Sequence, residues 1–125
     1  MRPDSFEAAC AYLGYSTALP DVSALPVKHQ AYIVAKYKLA IIIECVNNSV
    51  QPDWSNLSQK KVQPKFKIAA DGTRPQGYDF DGIDSRCFLS VISYVGAREC
   101  FFNTDDMNYV FGTFRSLFID AQLIP

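Results

Sequence analysis

A chain of 125 residues, 49% apolar and 14% aromatic, has enough apolar surface to close one core, and no stretch is polar enough to divide it into two domains. Its formal net charge of −1 excludes bulk attraction to nucleic acid or anionic membrane, and its composition excludes a disordered chain. The N-terminus carries no apolar signal-peptide core, and the longest apolar run, Leu39–Ile43, is far shorter than the ~20 residues of a bilayer span.

The first element is a short helix. Asp4 with Glu7 three residues on fits a capping box, Phe6, Ala9, Cys10 and Leu13 share a stripe, and Gly14 stops it. A Pro-bearing loop, Tyr15–Leu25, leads to Pro26, which suits a helix's first turn. Residues 26–48 form the organising helix. Its polar residues His29, Lys36, Glu44 and Asn47 fall on one narrow stripe. Ile33, Val34, Tyr37, Ala40, Ile41, Ile42, Cys45 and Val46 cover most of the remainder, so the helix is expected to be buried on several sides or to pack against another copy. Asn47-Asn48-Ser49 ends it.

The second half, residues 49–125, reads as strands and a closing helix. Gln51–Lys60 is a loop with the single tryptophan, Trp54. Val62, Pro64, Phe66 and Ile68 then alternate with Lys61, Gln63, Lys65 and Lys67, a strand with one core face and one basic wet face, placed at a sheet edge by Pro64. Asp71–Gln76 is a turn. Cys87–Val95, apolar on both faces, is expected as a central strand, with Gly96 turning into a hairpin partner, Ala97–Phe102. Asn103 or Thr104 caps a last helix with Asp105 and Asp106 at its positive end; Met107, Val110, Phe111, Phe114, Leu117, Phe118 and Ala121 form its apolar stripe. Gly112 interrupts that stripe, and a close helix crossing is expected there. The order α-α-β-β-β-α gives one α+β domain over residues 1–125, a small antiparallel sheet with helices on one face.

No catalytic constellation is evident. The four cysteines, at 10, 45, 87 and 100, form no C-x-x-C pair and read as small buried hydrophobes. One histidine, His29, is too few for a zinc site and has no flanking motif for nucleophilic catalysis. Asp79-Phe80-Asp81-Gly82 resembles the nucleophile string of haloacid-dehalogenase-type phosphatases, but the residues before it form a loop where that chemistry needs a buried parallel strand. As an EF-hand from Asp79 it has Asp84 and Ser90 where Gly and Glu belong. A solvated acidic turn is the expectation, with a weak cation site from Asp79, Asp81 and Asp84 as the alternative. No catalytic residue, metal or cofactor is assigned.

The basic concentration Lys60, Lys61, Lys65, Lys67 and Arg74 lies near Trp54 and Phe66. Cationic strands with aromatics bind single-stranded nucleic acid, but Phe66 alternates out of phase with the lysines, so nucleic acid is the weaker expectation. Arg98 shares a face with Cys100 and Phe102 on the expected hairpin. If buried, it needs a carboxylate or an anionic ligand, with Arg115 sharing its surroundings.

The runs FEAACAYLG (6–14), LPDVSALPVKHQAYIVAKYKLAIIIECVN (19–47), PDWSN (52–56), K-x-x-P-x-F (61–66) and SYVGARECF (93–101) resemble, over nearly the whole chain and in the same order, a family of small uncharacterised proteins of Bacteroides-type gut bacteria and their phages and prophages. The resemblance implies a viral or mobile-element setting and supplies no activity. The leading expectation is therefore a non-enzymatic interaction protein. It would be a virion component or a host-directed accessory factor in the host cytoplasm or virion, meeting a protein partner or its own copy and no membrane. The alternative is a module that binds a small anion or nucleotide through Trp54, Lys65, Lys67 and Arg98.

Overall fold

The computed structural model describes residues 1–75, 77–88 and 97–123. Four helices pack with a two-stranded antiparallel sheet in an α+β fold: α1 (Phe6–Leu13), α2 (Val27–Val46), β1 (Lys61–Ala70), β2 (Tyr78–Phe88), a 3-10 turn (Ala97–Glu99), α3 (Thr104–Thr113) and α4 (Arg115–Gln122).

α1 begins one residue later than its capping-box reading. Ser5 is the N-cap, its hydroxyl accepting from the Ala8 N–H at 3.0 Å. Gly14, at φ 74°, closes the helix in the left-handed conformation that glycine adopts without strain. Phe6, Ala9 and Cys10 are buried against α2, where Phe6 meets Tyr37 edge-on at 6.2 Å. Residues 15–26 then return along the helix: the Tyr15 hydroxyl bonds Glu44 near one end of α2, and Gln30 Nε2 donates to the Leu25 carbonyl at the other.

α2 is buried in its C-terminal half, where Ala35, Leu39, Ile41, Ile42, Ile43, Cys45 and Val46 face α1, α4 and the 3-10 turn. Asn48 and Ser49, both at positive φ, turn the chain away.

β1 and β2 pair from Lys61↔Phe88 to Ala70↔Tyr78, with a bulge between Lys67 and Ile68. Phe66 enters the core as its alternation predicts. With Phe80, Phe111 and Phe118 it makes a ring cluster with centroids 5.1–6.0 Å apart, joining the hairpin to α3 and α4. Ile68, in the same phase, is 53% exposed because the hairpin runs on past the helices. Apart from β2, the backbone of β1 pairs with one further segment among the described residues, through the Val62↔Phe101 bridge, in keeping with Pro64 at an edge.

Several expectations are corrected. Residues 79–84 are not an acidic turn but part of β2. Ala97–Phe102 is not a hairpin strand: it is the 3-10 turn followed by the single bridge at Phe101. Of the expected central strand, Cys87 and Phe88 end β2, while residues 89–95 and the turn at Gly96 lie outside the described residues. Lys61 is buried rather than wet, its ammonium donating to the Asn56 and Gln59 carbonyls at 3.0 and 3.1 Å. Cys10, Cys45 and Cys100 are buried thiols, but Cys87 is exposed.

The closing helix is two helices. Asn103 caps α3 by accepting from the Asp106 N–H at 2.7 Å, and the helix breaks at Phe114 (φ −115°, ψ 33°). Gly112 is not a close crossing, since a Cβ there would meet nothing within 4 Å. Gly112 and Thr113 are both poor helix formers, and the break leaves Phe114, Phe118 and Ile119 buried.

Candidate functional site

The polar stripe of α2 seats the segment that begins at Ala97. Lys36 and Glu99 form an ion pair, and Asn47 Nδ2 donates to the Cys100 carbonyl at 2.8 Å. Phe101 and Val62 then exchange backbone bonds of 2.7 and 2.8 Å. These contacts place Arg98 beside the C-terminal end of α2. Between them lies a cleft of about 320 Å³, bounded by Ala40, Ile43, Glu44 and Asn47 of α2, by Val50–Pro52, and by Arg98.

The chemistry of this cleft is mixed. Arg98 is exposed and makes no ion pair among the described residues. Glu44 Oε1 accepts from the Tyr15 hydroxyl at 2.7 Å and from Ser49 Oγ at 3.3 Å; the bond to Glu44 pushes the Tyr15 phenol pKa up. Asn47 is only 8% exposed, and its Oδ1 has no hydrogen-bond partner among the described residues. An unsatisfied buried acceptor costs about 1–3 kcal/mol.

Of the four residues nominated for a ligand, only Arg98 lines the cleft. The expectation that places it on a hairpin, in surroundings shared with Arg115, is corrected: it stands exposed in the 3-10 turn. Arg115 instead donates to Asp79 Oδ1 at 3.3 Å and to the Phe80 carbonyl at 2.6 Å. Trp54 is half-buried with the Lys61 ammonium 5.6 Å from its ring centre. Lys65 and Lys67 sit on the wet face of the hairpin. There Asp84 stands opposite Lys65 and pairs with Lys67 at 3.4 Å, interrupting the basic stripe. The structure does not bring Trp54, Lys65 and Lys67 to Arg98's cleft.

The acidic string does not converge on a cation. Asp79 is held by Arg74 and Arg115, Asp84 by Lys67, and Asp81 is exposed at the bulge. The Asp79 carboxyl is pulled below the usual range, first by the Phe80 N–H and then by Arg74 and Arg115. Among the described residues no group of three or more His, Cys, Asp or Glu could hold a metal ion. The phosphatase-like string occupies an antiparallel strand, without the parallel strand tip its chemistry requires. His29 is exposed in the first turn of α2. No helix among the described residues is long and apolar enough to cross a membrane.

Glu44, Asn47 and Gln51 were not among the residues nominated from sequence. Glu44 and Asn47 did carry a signal, as polar positions on an otherwise apolar helix. Gln51 had none, since a polar residue in a loop is the common case.

The second surface is the N-terminal half of α2. No residue from Val27 to Val34 is buried; Val27 is 83% and Tyr32 41% exposed. The helix has no side-chain N-cap, and the residues before Glu44 carry Lys28, Lys36 and Lys38 but no acid. Comparison with family models, with curated proteins and with solved structures gives no match.

Proposed function

We propose that this chain is a non-enzymatic interaction protein of a phage or prophage. In this reading it receives an acidic, apolar-anchored segment of a protein partner on the N-terminal half of α2. The partner is a virion component or a host protein, in the mobile-element setting that the sequence resemblance implies.

The observation that carries this reading is that uncovered half-helix. Val27, Ala31 and Tyr32 are exposed on it, Leu25 is exposed just before it, and Lys28 and His29 stand among them. Burying one such apolar side chain is worth ~1.5–3 kcal/mol. Lys28 lies in the first turn, at the positive end of the helix dipole, where a cation is unfavourable and a partner's carboxylate is favoured. A second copy fits less well. An isologous contact sets a patch against itself, and this patch, residues 25–34, carries Lys28 and no acid to pair with it.

The test is an NMR titration of the labelled chain with a Glu/Leu amphipathic helical peptide and a Lys/Leu peptide of the same pattern. Shift changes clustered at residues 25–32 with the acidic peptide alone are expected, weakened at least about tenfold by joint Lys28→Glu and His29→Glu substitution. Equal response to both peptides, or a concentration-dependent dimer without peptide, would contradict the reading.

A further inference from the structure

We infer that the cleft between the C-terminal end of α2 and Arg98 is a binding site for a small zwitterion of the free α-amino acid class, with a compact apolar side chain. This does not rest on the docking role of the other half of α2. It depends on three polar groups that the fold leaves incompletely satisfied at one place.

The first is Arg98, an exposed guanidinium with no ion pair among the described residues, lining one side of the cleft. Its planar fork matches a carboxylate with two parallel bonds. The second is Asn47. Its Nδ2 is committed to the Cys100 carbonyl, which fixes the amide and leaves the buried Oδ1 in need of a donor. The third is Glu44. Both of its side-chain bonds fall on Oε1, so Oε2 remains to accept from a cation. Glu44 Oε2 and the Arg98 guanidinium, in one cleft lining, match an ammonium and a carboxylate on one molecule, with the orphaned Asn47 amide oxygen buried behind them.

The helix end reinforces this polarity. The last turn of α2 carries no basic residue, so the negative end of its dipole favours an ammonium there. The Met1 ammonium is bonded to Asn48 Oδ1, and Asn48 is not in the cleft lining.

Size and charge exclude larger anions. About 320 Å³ is at the small end of ligand pockets, which run from about 300 to 1,000 Å³. Glu44 would repel a di- or triphosphate. The remaining lining includes Ala40, Ile43, Val50 and Pro52, which are apolar and suit an aliphatic side chain.

The experiment is an NMR titration of the full chain with leucine, valine, their N-acetyl derivatives and their carboxamides. The free amino acids are expected to shift residues 40–51 and 98 in the millimolar range, with each blocked form at least about tenfold weaker. Arg98→Gln should remove the preference for the carboxylate over the carboxamide, and Glu44→Gln the preference for the free over the acetylated amine. Because Glu44→Gln also alters the Tyr15 bond, Tyr15→Phe is the control and should bind as the unmodified chain does. The proposal is overturned by no shift with any free amino acid, by equal response to the N-acetyl forms, or by a Tyr15→Phe loss equal to that of Glu44→Gln.

Discussion

The two halves of α2 belong to one uninterrupted helix and meet opposite environments. From Ala35 onward the helix is packed against α1, α4 and the 3-10 turn, whereas from Val27 to Val34 no residue is buried. The cause is length. α2 has 20 residues, about 30 Å, while α1 and α4 have eight each, about 12 Å, too short to cover it from end to end. Apolar sequence favours burial but does not supply the neighbour that buries it. The C-terminal half of the helix builds the core, and the N-terminal half buries no residue.

The largest expected effect sharpens that comparison directly. Ile42→Ala removes a fully buried side chain and should cost about 2–5 kcal/mol in urea denaturation. Val27→Ala, at a side chain that is 83% exposed, should change stability by no more than about 0.5 kcal/mol. Equal losses for the two substitutions would erase the distinction between the halves.

A smaller effect separates α2 from the hairpin. Asp79 ties β2 to Arg74 and Arg115, and its carboxyl is held below the usual range by the Phe80 N–H and those two cations. An acid whose folded pKa is depressed stabilises the fold above its unfolded value, about 3.9, and loses that contribution as pH falls through the folded value. Urea midpoints measured on acidification should therefore fall less steeply for Asp79→Asn than for the unmodified chain. Parallel curves would show that this network does not couple to folding.

Much of the fold was legible in the sequence because periodicity and local chemistry agree over α1, α2, β1 and the start of α3. β2 was misread for a definable reason. Phe80 and Ile83 are three residues apart, which breaks a period of two; the bulge opposite Lys67 and Ile68, with Gly82 at φ 145°, restores the phase. Lys61 looked wet because its neighbours alternate, but the carbonyls of Asn56 and Gln59 that receive its ammonium belong to a loop whose path has no periodic signal. The cleft was half legible. Glu44 and Asn47 stood out on the helix, but Arg98 joins them in lining the cleft only because Lys36 pairs with Glu99 and Asn47 with the Cys100 carbonyl, contacts between segments more than fifty residues apart.

Residue-resolved amide hydrogen exchange along α2 tests the division of that helix most directly. Amides from Leu39 to Val46 are expected to exchange only through global unfolding, while those from Ala31 to Val34 exchange orders of magnitude faster through local opening. Uniform protection across both halves in dilute solution would contradict the account.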